Sequence, residues 1–528
     1  MSQPQIYAHW TPKYNPWIVA LTVTLATFME VLDTSIANVA LPHIAGGLAA
    51  SQDESTWVLT SYLVSNAVIL PIAAWLSVLI GRKRFYMTCV MLFTASSFLC
   101  GMAPTLGILI LCRVMQGLGG GGLATSEQAI LADTFSLEKR GMAFAVYGMA
   151  VVMAPAIGPT LGGWITDNFS WRWIFYINVP VGILSLYLTN KIVEDPPYME
   201  IEKRKTLAHP IDYMGLGLIA VGIGCLQYVL DKGQEEDWFS SRKIIVFLVV
   251  AVTALVWFVV NEWKHAYPIV DLRLLQLKNF RTAAFMMFVL GMVMFGTTVL
   301  IPQFLQVQMG YTAENAGKAL SAGAVVLIFM MPVIGQLVSR MDPRFLIAFG
   351  FVASAAALFH MTNINLEIDF RTATMYRVYQ MMGVAFIFIP ISTLAYVGIP
   401  RHQSNQVAGM NNLMRNLGGS IGVSMLSTFL LRLSQRHQVY LTAHTSAGDQ
   451  LFTDRIAGLT QTLTSQGIPS NQATAQAYSM MSRVISGQAS TLAYIDIISI
   501  SAVVVLCLAP FAFIMQRPPK RAAAAAAH

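Results

Sequence analysis

The chain has 528 residues, of which 55 % are hydrophobic and only 11 % charged, with a mean hydropathy of +0.59. Soluble proteins carry about 25 % charged residues, so this chain lacks the polar surface to face water. Its 28 Phe, 29 Met and 10 Trp also exclude a disordered chain. One large body solvated by lipid is expected. The five cysteines lie singly in apolar runs, without metal or redox spacing.

Roughly 20 apolar residues cross a bilayer. That window predicts fourteen helices, at 17–40, 56–79, 85–103, 106–130, 141–166, 173–190, 212–230, 244–262, 283–302, 317–338, 345–361, 373–397, 406–431 and 492–515. The opening 16 residues have no cleavage site, so no removed signal peptide is expected. With the N-terminus in the cytoplasm, inner segments hold 20 Lys/Arg and outer ones 10, the bias that sets orientation. Both termini are then cytoplasmic. The net charge of +7 reports topology and contact with the lipid bilayer, and no nucleic acid is needed.

The chain also repeats itself. Gly81-Arg82-Lys83-Arg84 after the second span is echoed by Arg340 to Arg344 after the tenth. Arg113-x-x-Gln116 in the fourth is echoed by Arg377-x-x-Gln380 in the twelfth, and the glycines of the fifth by Gly418, Gly419 and Gly422 in the thirteenth. The predicted fold is an all-α membrane protein of two six-helix bundles with two inserted helices. Its parts are 1–190, a linker 191–282 carrying the inserted pair, 283–516 including a long outer loop 432–490, and a tail 517–528. Parallel six-helix halves place a substrate site between them at mid-membrane.

Ionisable groups inside spans are costly and are candidates for function. Glu30 and Asp33 stand three apart on one face of the first span. Two carboxylates so close in low dielectric do not both ionise readily, which suits a proton carrier. Arg113 keeps its charge at any accessible pH and needs a counter-ion, so it is expected to bias Asp33. Arg377 and Arg415 are its secondary counterparts, and Asp496 is a further acid that alternatively lies at the wet outer rim. Glu127 reads as interfacial. The run Pro155, Gly158, Pro159, Gly162, Gly163 lets a helix bend and a neighbour approach, as a pivot and seal would. No nucleotide, metal or nucleophile motif is present, so neither an ATP-driven pump nor an enzyme is expected. The segment 432–490 is too long for a turn and contains helical spacing at Leu451, Ile456, Leu459 and Leu463.

Leu32 to Pro42 (LDTSIANVALP), Gly81-Arg82-Lys83, Arg113-x-x-Gln116-Gly117 and Gly158-Pro159-x-x-Gly162-Gly163 together resemble the fourteen-helix drug:proton antiporters (EmrB/QacA type) of the major facilitator superfamily. The likeness extends through Trp171 to Pro180, Asp237 to Ser241 and Pro268 to Leu272, from the first span to the last. It implies the superfamily's fold, proton-coupled multidrug efflux by alternating access, and small hydrophobic or amphipathic substrates. It further implies a bacterial inner membrane, no cofactor beyond the proton as coupling ion, an EmrA-like periplasmic adaptor and a TolC-like outer-membrane channel. The segment 432–490 is then the candidate docking surface. In that family's loop motif a Gly and an Asp close the second span, where this chain has Ala74 and Val78. The usual charge latch is therefore expected to be absent or rebuilt on Asp133 or Glu138. A dedicated exporter of one metabolite, such as a fatty acid or siderophore, is the alternative; a non-transporting membrane scaffold or sensor is another.

Overall fold

The computed structural model describes residues 12–516 except 137–138, 209, 266, 401–402, 444 and 446–448. Glu138, one of the basic loop residues (Arg401) and the 517–528 tail lie outside the described residues. Among the described residues, fourteen helices are long and apolar enough to cross a membrane, and no strand occurs. Hydrocarbon offers backbone groups no water, so each span satisfies its own N–H and C=O groups as a helix.

In chain order the first half contains α1 (Pro16–Gly47), α2 (Trp57–Ile80), α3 (Arg82–Met102), α4 (Leu106–Thr134), α5 (Arg140–Asn168) and α6 (Trp173–Ile192). The inserted pair is α7 (Tyr213–Lys232) and α8 (Arg242–Lys264). The second half contains α9 (Lys278–Gln303), α10 (Ala313–Arg340), α11 (Pro343–Met361), α12 (Phe370–Leu394), α13 (Ser404–Ala443) and α14 (Ser470–Leu508). Starts are written locally: Thr105 accepts from the Ile108 N–H, Asp369 from Thr372, and Pro16 and Pro343 open their helices without wasting a donor. Pro302 precedes a π turn at Phe304–Gln308 that ends α9.

The halves use one packing plan twice. α1 lies on α5, α2 on α4, α3 on α4 and α6; likewise α9 lies on α13, α10 on α12, α11 on α12 and α14. Between the halves, α5 packs on α10 and α2 on α13, a pair of contacts that the same twofold relation exchanges. The close approaches fall where the sequence is small. A side chain at Gly141 would strike the Gly335 carbonyl, and one at Gly409 would press on Ala74. α7 leans on both α2 and α13, while α8 packs chiefly on α7 and faces outward.

The halves also meet at the basic end of the bundle. Ser404 donates to Asp133 at 3.1 Å and Phe144 stacks on Tyr396 with centroids 5.5 Å apart, while Gln406 ties the second half to the linker by donating to the Ile269 carbonyl at 3.0 Å. Arg140 lies 5.7 Å from the Tyr396 ring. This conformation is closed at that end.

Two expectations need correction here. The segment 432–490 is not a loop over most of its length. α13 runs on unbroken to Ala443, α14 begins at Ser470, and the helix Gln450–Ser465 packs against α14. The result is a helical projection. Glu127 does not face the wet rim: it is fully buried, and Thr24 of α1 donates to it at 2.6 Å.

Candidate functional site

Asp33 sits mid-way along α1, where α4 and α6 converge, and is 2 % exposed. Arg113 Nη1 donates to its Oδ2 at 2.5 Å; Gln116 Nε2 and Asn178 Nδ2 donate to Oδ1 at 3.0 and 2.7 Å. The arginine is anchored in turn, although its Nη2 makes no hydrogen bond among the described residues. Its Nε donates to the Val58 carbonyl at 3.0 Å, Nη1 to Gln116 Oε1 at 2.8 Å, and the Tyr62 ring lies 4.3 Å from the guanidinium. Arg113 and Gln116 meet because i and i+3 share a helix face. Asn178 is fixed in turn by Ser97, at 3.0 Å. Among the described residues, the hydrogen bonds and ring contacts to this pair come from the first half.

Glu30 lies one turn away on the same face, yet the two carboxylates do not share a partner. Tyr62 Oη donates to Glu30 at 3.0 Å and Asn66 Nδ2 at 3.2 Å. Tyr62 therefore touches both acids' surroundings, with its ring on Arg113 and its hydroxyl on Glu30. Unlike Asp33, Glu30 is only half-buried, and it lies within electrostatic reach of Arg415 from the other half. Arg415 Nη1 donates to Tyr147 Oη at 3.1 Å, and Asn412 takes Gln128 and Tyr147, each at 3.4 Å. A polar seam thus crosses the interface of the halves beside Glu30.

Arg377 occupies the place in the second half that Arg113 has in the first, but bonds only neutral groups, Gln380 at 2.7 Å and Thr298 at 2.6 Å. Asp496 is remote from all of these. It pairs with His437 at 2.7 Å and its side chain is 43 % exposed, which places it at the rim.

The proline–glycine run of α5 packs against the turn that carries Asp33. Ser35 donates to the Pro155 carbonyl at 3.3 Å, a side chain on Gly158 would strike Ser35, and one on Gly162 would meet Ile36. Pro159 instead reaches across to Gly317 of α10, and Gly163 faces open space. The run thus meets two helices, α1 and α10, and opens to free space at Gly163.

At the basic end, Gly81 turns the chain at φ +99°, a value that favours glycine. Arg82 is buried and donates to Asp133 at 2.5 Å and to the Ala129 carbonyl at 3.2 Å. Tyr198, from the short helix Tyr198–Leu207, donates to the same carboxylate and accepts from Arg82 at 3.2 Å. Burial pushes the Tyr198 phenol above its ordinary range, so it remains a donor. Asp195 caps the start of α3 by accepting from the Lys83 N–H at 2.8 Å, while Lys83 Nζ donates to the Asn190 carbonyl at 2.6 Å. With Val78 in place of the usual acid, Arg82 takes Asp133 instead. The basic cluster is therefore not wholly a lipid-facing one, since Arg82 points inward.

Sequence reasoning named the arginine and the acids but not Tyr62, Asn66, Asn178, Asp195 or Tyr198. Only Gln116 carried a signal, through its spacing from Arg113; the others come from helices far apart in sequence.

Two parallel six-helix halves, a buried carboxylate–arginine pair in one of them and a glycine-lined interface between them define a polytopic membrane transporter. The chain belongs to the major facilitator superfamily, whose family model matches residues 23–423. It is 38 % identical to "Multidrug export protein EmrB" of Haemophilus influenzae, over 81 % of this chain and 83 % of that protein. It is 37 % identical to the Escherichia coli protein of the same name, over 80 % and 82 %. With "Fatty acid resistance protein FarB" of Neisseria gonorrhoeae it shares 35 % identity over 95 % and 96 %. Among solved structures, the proton:xylose symporter XylE superposes with a TM-score of 0.57 at 14 % identity, covering 91 % of this chain and 94 % of that one. At that identity the match speaks for the fold alone.

Proposed function

We propose that this transporter is a drug exporter of the bacterial inner membrane, driven by proton antiport and working by alternating access. The observation that carries the reading is the Asp33–Arg113 pair, a titratable acid buried beside a permanent cation in a span. Its carboxylate accepts from three donors, so taking up a proton must release Arg113 to other acceptors. Glu30 stands between that pair and the seam with the other half. A proton arriving at Glu30 weakens its attraction to Arg415 and loosens the halves, and Tyr62 links the change to Arg113. Asp33 and Glu30 are thus the coupling acids, Arg113 the group that biases them, and the α5 run the packed pivot beside them. The names of the relatives, two multidrug export proteins among them, support small hydrophobic or amphipathic substrates.

In this reading the basic end is cytoplasmic, with both termini on that side, and the helical projection of α13, Gln450–Ser465 and α14 stands in the periplasm. There it offers a surface to an EmrA-like adaptor that leads to a TolC-like channel. The wide coverage by the fatty acid resistance protein favours a second reading, export of one class of amphipathic acid. Proteoliposomes decide: adding a lipophilic cation or a fatty acid to vesicles holding a pH gradient should release protons in proportion to substrate moved. Substrate movement that ignores the gradient overturns proton coupling, and movement of fatty acid alone selects the second reading.

A further inference from the structure

The repeat sets the same arginine in two electrostatic environments. A shift of 264 residues carries Asp33, Thr34, Arg113 and Gln116 onto Thr297, Thr298, Arg377 and Gln380. Two bonds of the frame survive the shift, arginine to glutamine and glutamine to the position of Asp33, while the bond to Thr298 has no counterpart at Thr34. Arg377 Nη1 donates to Gln380, Nη2 to Thr298, and Gln380 Nε2 to Thr297 at 2.8 Å, as Gln116 does to Asp33. The carboxylate does not survive, because Thr297 stands where Asp33 would be.

Arg377 is 5 % exposed, no Asp or Glu pairs with it among the described residues, and its Nε makes no hydrogen bond. Arginine cannot shed its charge, and an uncompensated cation buried in a span is costly. Two of its five N–H groups are used. The unused set includes Nε–H, part of the edge on which guanidinium takes a carboxylate with two parallel bonds. Beside this frame α9, α11, α12 and α14 leave a narrow apolar recess of about 30 Å³. Its wall includes Thr297, Phe304, Tyr376, Tyr494 and Ile498, so it begins at the acceptor of Gln380 and at the residue preceding Arg377.

We propose that Arg377, framed by Thr298 and Gln380, is an anion subsite that takes the carboxylate of an amphipathic acid. The proposal rests on the exporter reading for how such an acid reaches the site. The first half keeps its counter-ion built in and uses it for protons; the second leaves the place open for cargo.

The test uses the full chain in detergent and two probes that share one alkyl chain, laurate and dodecanol, measured by equilibrium binding. Thr297→Asp supplies the second half with the acid that the first half already has, so it should hold the fold while displacing the ligand. Thr297→Asp and Arg377→Gln should each weaken laurate by about ten- to a hundredfold and change dodecanol less than about twofold. Arg377→Lys should restore part of the laurate binding. Unchanged laurate binding in Thr297→Asp, or equal losses for both probes, overturns the subsite. Exchanging gluconate for chloride separates the sources of the anion. Chloride competition that vanishes in Arg377→Gln supports a free inorganic anion as resident, and no competition supports the amphipathic acid. Competition that persists in that variant counts against the site. A wild type that couples proton release to a lipophilic cation but binds laurate no better than dodecanol refutes the subsite and leaves the exporter standing. Binding of laurate through Arg377 without proton release does the reverse.

Discussion

Replacing Asp33 by asparagine removes one charge and almost no volume, so its effect isolates the electrostatics of the pair. Asp33 accepts from Arg113, Gln116 and Asn178, with both partners of the ion pair buried. Asparagine supplies one oxygen. If it faces Arg113, the new amide N–H groups confront two other amide donors; if it faces them, the guanidinium confronts a donor. Breaking a buried pair by removing one partner costs about 3–5 kcal/mol, and two unit charges about 4 Å apart at an effective dielectric near 20 give about 4 kcal/mol. Asp33→Asn should therefore lower Tm by on the order of 10 °C and abolish proton-driven efflux. Adding Arg113→Gln removes the orphaned cation and lets two amides pair. The double variant should recover at least about 2 kcal/mol while remaining uncoupled. Thermal unfolding in detergent of the wild type, both single variants and the double variant reads the cycle. A single variant that melts with the wild type, or a double variant whose loss equals the sum of the singles, refutes the reasoning.

Glu30→Gln keeps an oxygen for Tyr62 and Asn66, so its stability should change by less than about 1 kcal/mol, whereas protons released per substrate in proteoliposomes should fall. Gly158→Val should cost about 1–3 kcal/mol by driving α5 from Ser35, while Gly163→Ala, which meets open space, should be neutral or gain up to about 1 kcal/mol in helix propensity; paired melting curves decide. Asp133→Asn should release both Arg82 and Ser404 and open the basic end, seen as a longer spin-label distance between the ends of α4 and α13. An unchanged distance would remove Asp133 from the closure.

The spans and the buried charges were readable because hydrocarbon enforces both, requiring a long apolar run and leaving very few ionisable residues. Asp33 and Arg113 stood out for that reason. Their ligands did not, since Asn178 and Tyr62 are ordinary polar residues whose meaning comes from helices that meet only in the folded bundle. The ends of α13 and α14 were missed by an apolar window because both continue as polar helices rich in Gln, Ser and Thr, whose stability comes from packing on each other. Glu127 was misplaced because its burial depends on α1, whose Thr24 meets it only in the folded bundle. The Asp133 partner of Arg82 was among the options, and α3's Asp195 cap was not, since it lies 112 residues from Lys83.

The continuity of α13 has a mechanical meaning. Arg415 and Ala443 lie on one unbroken helix, about 42 Å apart at 1.5 Å per residue. A rotation of the second half by about 10° about the level of Arg415 would carry the far end through roughly 7 Å, by that same length. In the proposed coupling, a charge change beside Arg415 would be converted into displacement at the far end of this helix. The stiff arm works in both directions: a load clamped on its tip resists the same rotation, and so tunes how readily the protein turns over.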